Sequence, residues 1–171
     1  MRLSLLSSLF LGLCLSSPLA TAGMIQPGLW EISSSAVQVD GQAQPGMQQM
    51  LEQMKNMPPE QRQIMEQMLA KQGVQLGDKG VRICISEAQI AAQELPLQDQ
   101  KSGCSHEVTE RTATRWKFRF TCPDSQGEGE TRFLGEKEFT SQVRATRAGQ
   151  STRMESHARW VAADCAALPP R

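Results

Sequence analysis

The chain has 171 residues, with 18 Lys and Arg against 18 Asp and Glu, five Cys, nine Met, three Trp and no Tyr. Such balance excludes the basic footprint of a nucleic-acid binder and any general attraction to anionic lipid. The length provides for one domain with a real core and leaves little room for two.

The opening MRLSLLSSLFLGLCLSSPLATA carries one charge, Arg2, ahead of an apolar run from Leu3 to Leu15, the layout of a cleavable signal peptide. That run is too short to cross a bilayer core of about 30 Å. Ala20-Thr21-Ala22 supplies the small residues that a signal peptidase requires, so cleavage is expected after Ala22 and export to the periplasm follows. Cys14 is the rival, as a lipidated cysteine, but bulky Leu13 stands before it where a small residue is needed. Residues 23–171 then form a single β-rich domain with a formal charge of −1, since only Arg2 is lost, and with no later membrane span. Its four cysteines, Cys84, Cys104, Cys122 and Cys165, are an even number without Cys-x-x-Cys spacing, which points to two disulfides rather than metal or redox chemistry.

From Pro27 to Val39 the pattern alternates as a strand does, and Asp40-Gly41 is a turn signal. Residues 46–72, GMQQMLEQMKNMPPEQRQIMEQMLAKQ, are rich in helix formers and predict a helical hairpin broken at Pro58-Pro59 and closed by Gly73. Met47, Met50, Leu51, Met54 and Met57 share a face of its first helix; Ile64, Met65, Met68 and Leu69 share one of the second. Gly77-Asp78-Lys79-Gly80 returns the chain to a strand at 81–85, after which Ser86-Glu87-Ala88-Gln89 reads as a capping box opening a short helix to about Glu94, stopped by Pro96.

The remainder predicts five antiparallel strands, at 104–111, 114–122, 128–135, 138–147 and 150–162, with turns at Gly127-Glu128-Gly129, Gly135-Glu136 and Ala148-Gly149. In the second, Trp116, Phe118 and Phe120 alternate with Arg115, Lys117 and Arg119, so one face is buried and the other wet. The three Trp and five Phe form the expected aromatic core. In such a meander Cys104 begins one strand and Cys122 ends its neighbour, which favours that pair. Cys84 with Cys165 follows if strand 81–85 lies near the other edge, while a strongly curled sheet would permit another of the three pairings. The expected architecture is mainly β (α+β): a curved antiparallel meander of six or seven strands, with the helical hairpin inserted after the first and one short extra helix.

Chemistry is sparse. Only His106 and His157 could act as bases at neutral pH, both in polar strands, and no His-Glu-x-x-His, Gly-x-Ser-x-Gly, Ser-x-x-Lys or phosphate loop occurs. Neither an enzyme nor a cofactor is expected. Met47-x-x-Met50, Met54-x-x-Met57 and Met65-x-x-Met68 place thioethers one helical turn apart, a spacing that suits Cu(I). The same spacing makes the apolar face of an amphipathic helix, and that reading is preferred because the segment holds no Cys or His. The Met stripe is then either a cover for the sheet's open face, the favoured reading, or an adaptable groove for a partner.

Four landmarks together resemble the small exported proteobacterial proteins of the domain of unknown function 3617 family. They are Pro-Gly-Leu-Trp-Glu at Pro27 to Glu31, Cys84-Ile85-Ser86-Glu87 leading into a capped helix, the inner cysteines Cys104 and Cys122, and the closing Asp164-Cys165. Ala163 replaces the Gly that usually precedes that Asp. The resemblance implies the fold and export and adds no catalytic residue. The expected function is a non-enzymatic periplasmic protein binding a protein or an apolar ligand, through the sheet or the hairpin; the alternative is a Cu(I)-binding envelope protein using Met47, Met50, Met54, Met57, Met65 and Met68.

Overall fold

Strand β1, Gly28–Val39, begins where Pro27 fixes an extended entry and β-branched and aromatic residues follow; its first residues are buried on both sides. The computed structural model describes residues 24–92, 103–165 and 168–169, so the leader expected over residues 1–22 and the helix end expected near Glu94 lie outside the described residues. After β1 come β2 (Gln42–Ala43), helices α1 (Met47–Lys55) and α2 (Pro59–Lys71), β3 (Val74–Leu76), β4 (Val81–Ile85), α3 (Glu87–Ala91), β5 (Ser105–Arg111), β6 (Arg115–Thr121), β7 (Ser125–Gly135), β8 (Glu138–Arg147) and β9 (Gln150–Ala162). All described strands form one antiparallel sheet in the order β3-β4-β1-β9-β8-β7-β6-β5, with β2 folded onto the end of β1. The fold is mainly β (α+β), with the helical hairpin between β2 and β3 and the short capped helix after β4.

The sheet has nine strands instead of six or seven. The additional ones, β2 and β3, are two and three residues long, too short to show an alternation. Turns make them: Asp40 and Gly41 both have positive φ, 49° and 78°, as a type I′ hairpin turn requires, and Gly77 N–H donates to the Gly80 carbonyl at 2.8 Å.

A second correction concerns Gly127-Glu128-Gly129, which is not a turn but the interior of β7. The turn falls at Pro123-Asp124, closed by the Cys122 N–H on the Ser125 carbonyl at 2.7 Å. Gly127 stands opposite Phe120 and Gly129 opposite Phe118. A Cβ would lie 2.5 Å from the Phe120 ring at 127 and 2.3 Å from the Phe118 ring at 129. The glycines thus make space for rings laid across the neighbouring strand.

The core gathers Trp30, Ile32, Ile83, Ile85, Phe139 and Ala158, with Trp30 fully buried and its ring 5.1 Å from Phe139. A smaller cluster of Leu29, Cys84 and Leu168 lies apart, beside Ala162 and Cys165. Of the expected aromatic core, Trp30, Trp116 and Phe139 are buried, whereas Trp160, Phe118, Phe120 and Phe133 are half-buried and Phe10 lies outside the described residues.

Every residue of Pro27 to Glu31 has a structural task. The Pro27 carbonyl accepts from Trp160 Nε1 at 3.0 Å. Gly28 adopts φ +129°, and a Cβ there would meet the Ala162 carbonyl at 2.3 Å. Leu29 and Trp30 enter the two clusters. Glu31 accepts from the backbone N–H groups of Asp78 and Lys79, at 3.2 and 3.3 Å, and from Arg82 Nε at 3.1 Å, clamping the β3–β4 turn.

Two disulfides close the fold: Cys84–Cys165, 81 residues apart, joins β4 to the segment after β9, and Cys104–Cys122, 18 apart, ties the start of β5 to the end of β6. A longer closed loop restricts the unfolded chain more. Replacing both Cys84 and Cys165 by Ala is therefore expected to cost about 4.5 kcal/mol, against about 3 kcal/mol for Cys104 and Cys122. Urea unfolding of the two double variants checks the order, and a smaller loss for the Cys84/Cys165 variant would refute the chain-entropy account.

Candidate functional site

Strand alternation and register assign each side chain to one of two sheet faces. On one face, rows crossing the strands begin at the core, with Ile32, Ala158, Phe139 and Phe133. A belt of hydroxyls follows, in which Ser156, Ser141 and Thr131 are all buried and the last two share a 2.5 Å hydrogen bond. Trp116 ends this belt opposite Thr131; its Nε1 is buried without a hydrogen-bond partner, and the Arg111 guanidinium lies 4.7 Å over its ring.

Beyond the belt the same face stays apolar but is less deeply buried. Val37, Met154, Val143, Phe118 and Val108 form the next row across Gly129, each half-buried. Val39, Thr152, Ala145 and Phe120 form the one after, across Gly127, ending at exposed His106. The hairpin packs chiefly against β1 and β3. These two rows were hidden in the sequence because the glycines opposite Phe118 and Phe120 read as a turn.

The other face is charged. Glu110 accepts from Lys117 and Arg115, and Glu155 from Arg153 at 2.8 Å and Gln142 at 2.9 Å. Lys117 first, then Arg115, hold the Glu110 carboxyl below the ordinary range, and Arg153 first, then Gln142, do the same for Glu155. At the end of the sheet, Asp40 is lowered chiefly by the Ser151 backbone N–H, 2.7 Å away. An open depression of about 560 Å³ crosses this face, its rim including Gln38, Arg153, Arg144, Glu128 and Arg119, one residue from each of five neighbouring strands.

The two histidines lie on opposite faces. His106 is beside Phe120 on the apolar face, ring centroids 6.2 Å apart, while His157 Nε2 meets Glu138 Oε1 at 2.6 Å on the charged one. They therefore do not share a centre. Among the described residues no group of three or more His, Cys, Asp or Glu is placed to hold a metal ion. The methionine stripe is only partly taken up where the hairpin meets the sheet: Leu51 is buried at 3 % exposure, Met47, Met54, Met57 and Met65 are half-buried, and Met50, Ile64 and Met68 are exposed at 52 %, 61 % and 60 %. No helix among the described residues is long and apolar enough to cross a membrane.

Residues 25–165 match the model of a protein family of unknown function, DUF3617. The chain is 53% identical over 139 residues to an "Uncharacterized protein in lpd-3 5'region" of Pseudomonas putida, a match covering 81% of this chain and 96% of that protein. No solved structure matches.

Two outcomes follow from these surroundings. Brief treatment with dilute peroxide is expected to oxidise Met50 and Met68 ahead of Met47, Met54 and Met154, as read by peptide mass mapping. Asp40, Glu110 and Glu155 all titrate lower in the fold than in the unfolded chain, so their contribution is complete above the unfolded values and lost as pH falls through the folded ones. Thermal midpoints are expected to hold from neutrality down to about pH 5 and fall below it, and Glu110→Gln should flatten that fall.

Proposed function

The chain belongs to the DUF3617 family, and from that premise we propose that it is an exported, non-enzymatic binding module of the bacterial envelope that takes an apolar ligand or protein segment onto the open half of its apolar sheet face. One observation carries this reading: Val37, Met154, Val143, Phe118 and Val108 form a continuous, half-buried row running from β1 to β5, while the described helices pack chiefly on β1 and β3. Left in water such a surface forfeits roughly 25 cal/mol per Å² of apolar area, which a ligand recovers by covering it. Phe118 and Phe120 suit that role because their flanks rest on glycine backbone, leaving ring surface for a ligand.

Export is supported by the leader expected over residues 1–22 and by two disulfides, which persist in oxidising compartments. A non-catalytic role is supported by the separation of His106 from His157 and by the structural employment of the whole Pro27 to Glu31 segment. A second reading, Cu(I) carriage by Met47, Met50, Met54, Met57, Met65 and Met68, draws on the exposure of Met50 and Met68, since a soft metal needs reachable thioethers.

Native mass spectrometry of oxidised protein from periplasm, followed by anaerobic Cu(I) titration, separates the two. We expect a co-purified apolar mass that is lost from a Phe118→Ser, Val143→Ser variant with an unchanged disulfide pattern. Stoichiometric copper abolished by changing Met50, Met54, Met65 and Met68 to Leu would instead establish the metal reading. Bare protein with neither mass nor copper would sink both.

A further inference from the structure

The charged face carries a feature the apolar face does not explain. Of its lining, Gln38, Arg153, Arg144, Glu128 and Arg119 form one row in register across β1, β9, β8, β7 and β6. Thr121, Gln126, Thr146 and Ser151, two positions along each strand on the same face, form the parallel row. Phe120, Gly127, Ala145 and Thr152 lie between and point their side chains the other way, so the depression is a trough floored by backbone and walled by arginines on one side and hydroxyls and amides on the other.

The arginines here are arranged against their own interest. Arg144 stands directly opposite Arg153 in the β8–β9 register, a like-charge placement that costs stability. Glu128 stands opposite both Arg144 and Arg119, yet neither of these arginines forms an ion pair. Among the other described strand arginines, Arg82 pairs with Glu31 and Asp78, Arg115 with Glu110, Arg132 with Glu130, Arg147 with Asp124 and, within the trough row itself, Arg153 with Glu155, whereas Arg159 on β9 has no ion pair. Arg119 and Arg144 thus present two exposed guanidinium groups without an ion pair on one wall of the trough.

We propose that this trough binds a small bis-phosphate whose two phosphate groups are separated by a hydroxylated spacer. Arg119 and Arg144 sit on strands two apart, about 10 Å at the backbone. Glu128 between them repels a contiguous run of negative charge and accepts hydrogen bonds from spacer hydroxyls. A guanidinium fork matches phosphate and carboxylate alike. Phosphate is favoured because its further oxygens can accept from the Thr121 and Thr146 hydroxyls and the Gln126 amide across the trough. Arg153, already shared with Glu155, adds to the field at the Arg144 end.

Isothermal titration of the oxidised mature chain at low ionic strength tests this, with fructose 1,6-bisphosphate as the probe and glucose 6-phosphate as its single-ended control. The bisphosphate is expected to bind at least tenfold more tightly than the monophosphate. Arg119→Gln and Arg144→Gln should each abolish that advantage, while Arg159→Gln, which removes an unpaired strand arginine outside the trough, should leave it. Arg144→Gln should also raise the thermal midpoint of the free protein by removing the Arg144–Arg153 opposition, showing that the variant folds. Equal affinity for the two sugars, an equal loss in the Arg159→Gln variant, or no binding of the bisphosphate would each overturn the proposal.

Discussion

Everything in this sheet is hung on the first five residues of β1. That stretch pairs with β4 on one side and β9 on the other, joining the β3–β4 hairpin to the long meander. Both of its faces are buried as well, Trp30 in the larger cluster and Leu29 against the Cys84–Cys165 neighbourhood. A strand enclosed on two edges and two faces admits almost no side-chain change; burying Trp30 alone is worth about 3–5 kcal/mol against alanine. Gly28 and Glu31 complete the enclosure, one by letting β9 approach and the other by holding the turn that aims β4.

That concentration of structural duty explains why the most recognisable segment of the chain is silent about activity. Pro27 to Glu31 are consumed in making the seam, and the capped helix after Cys84 sets Ile90 against the larger cluster. What the seam does not use lies on β5 to β9, where one face carries rings and methyl groups and the other carries guanidinium groups without an ion pair, separated by the thickness of a single sheet.

Much of the architecture could be read in advance because its signals are local. The two-residue rhythm of Trp116, Phe118 and Phe120, the break at Pro58-Pro59 and the Ser86/Gln89 box each depend on neighbours a few residues away. What escaped depends on register. Gly127 and Gly129 read as a turn because flexibility is their local meaning, whereas their actual service is to lie opposite Phe120 and Phe118. The row Arg119, Glu128, Arg144, Arg153 is scattered over 35 positions of sequence and becomes one line only once three strand pairings are fixed. The Met stripe differs: helical periodicity showed which residues share a face but not how deeply that face would be buried, and only Leu51 is buried while Met47, Met54 and Met57 stay half-buried.

A sheet that is not closed into a barrel presents two raw margins to its surroundings. Here each margin is blunted against joining another chain. β3 stops after three residues, too short to template a partner. β5 is interrupted by a bulge between Val108 and Glu110 and carries Glu107, Glu110 and Arg111 along its length, so an incoming strand would lose both register and charge balance. Strand-to-strand association is thus disfavoured at both borders of a sheet that carries apolar rings on one face.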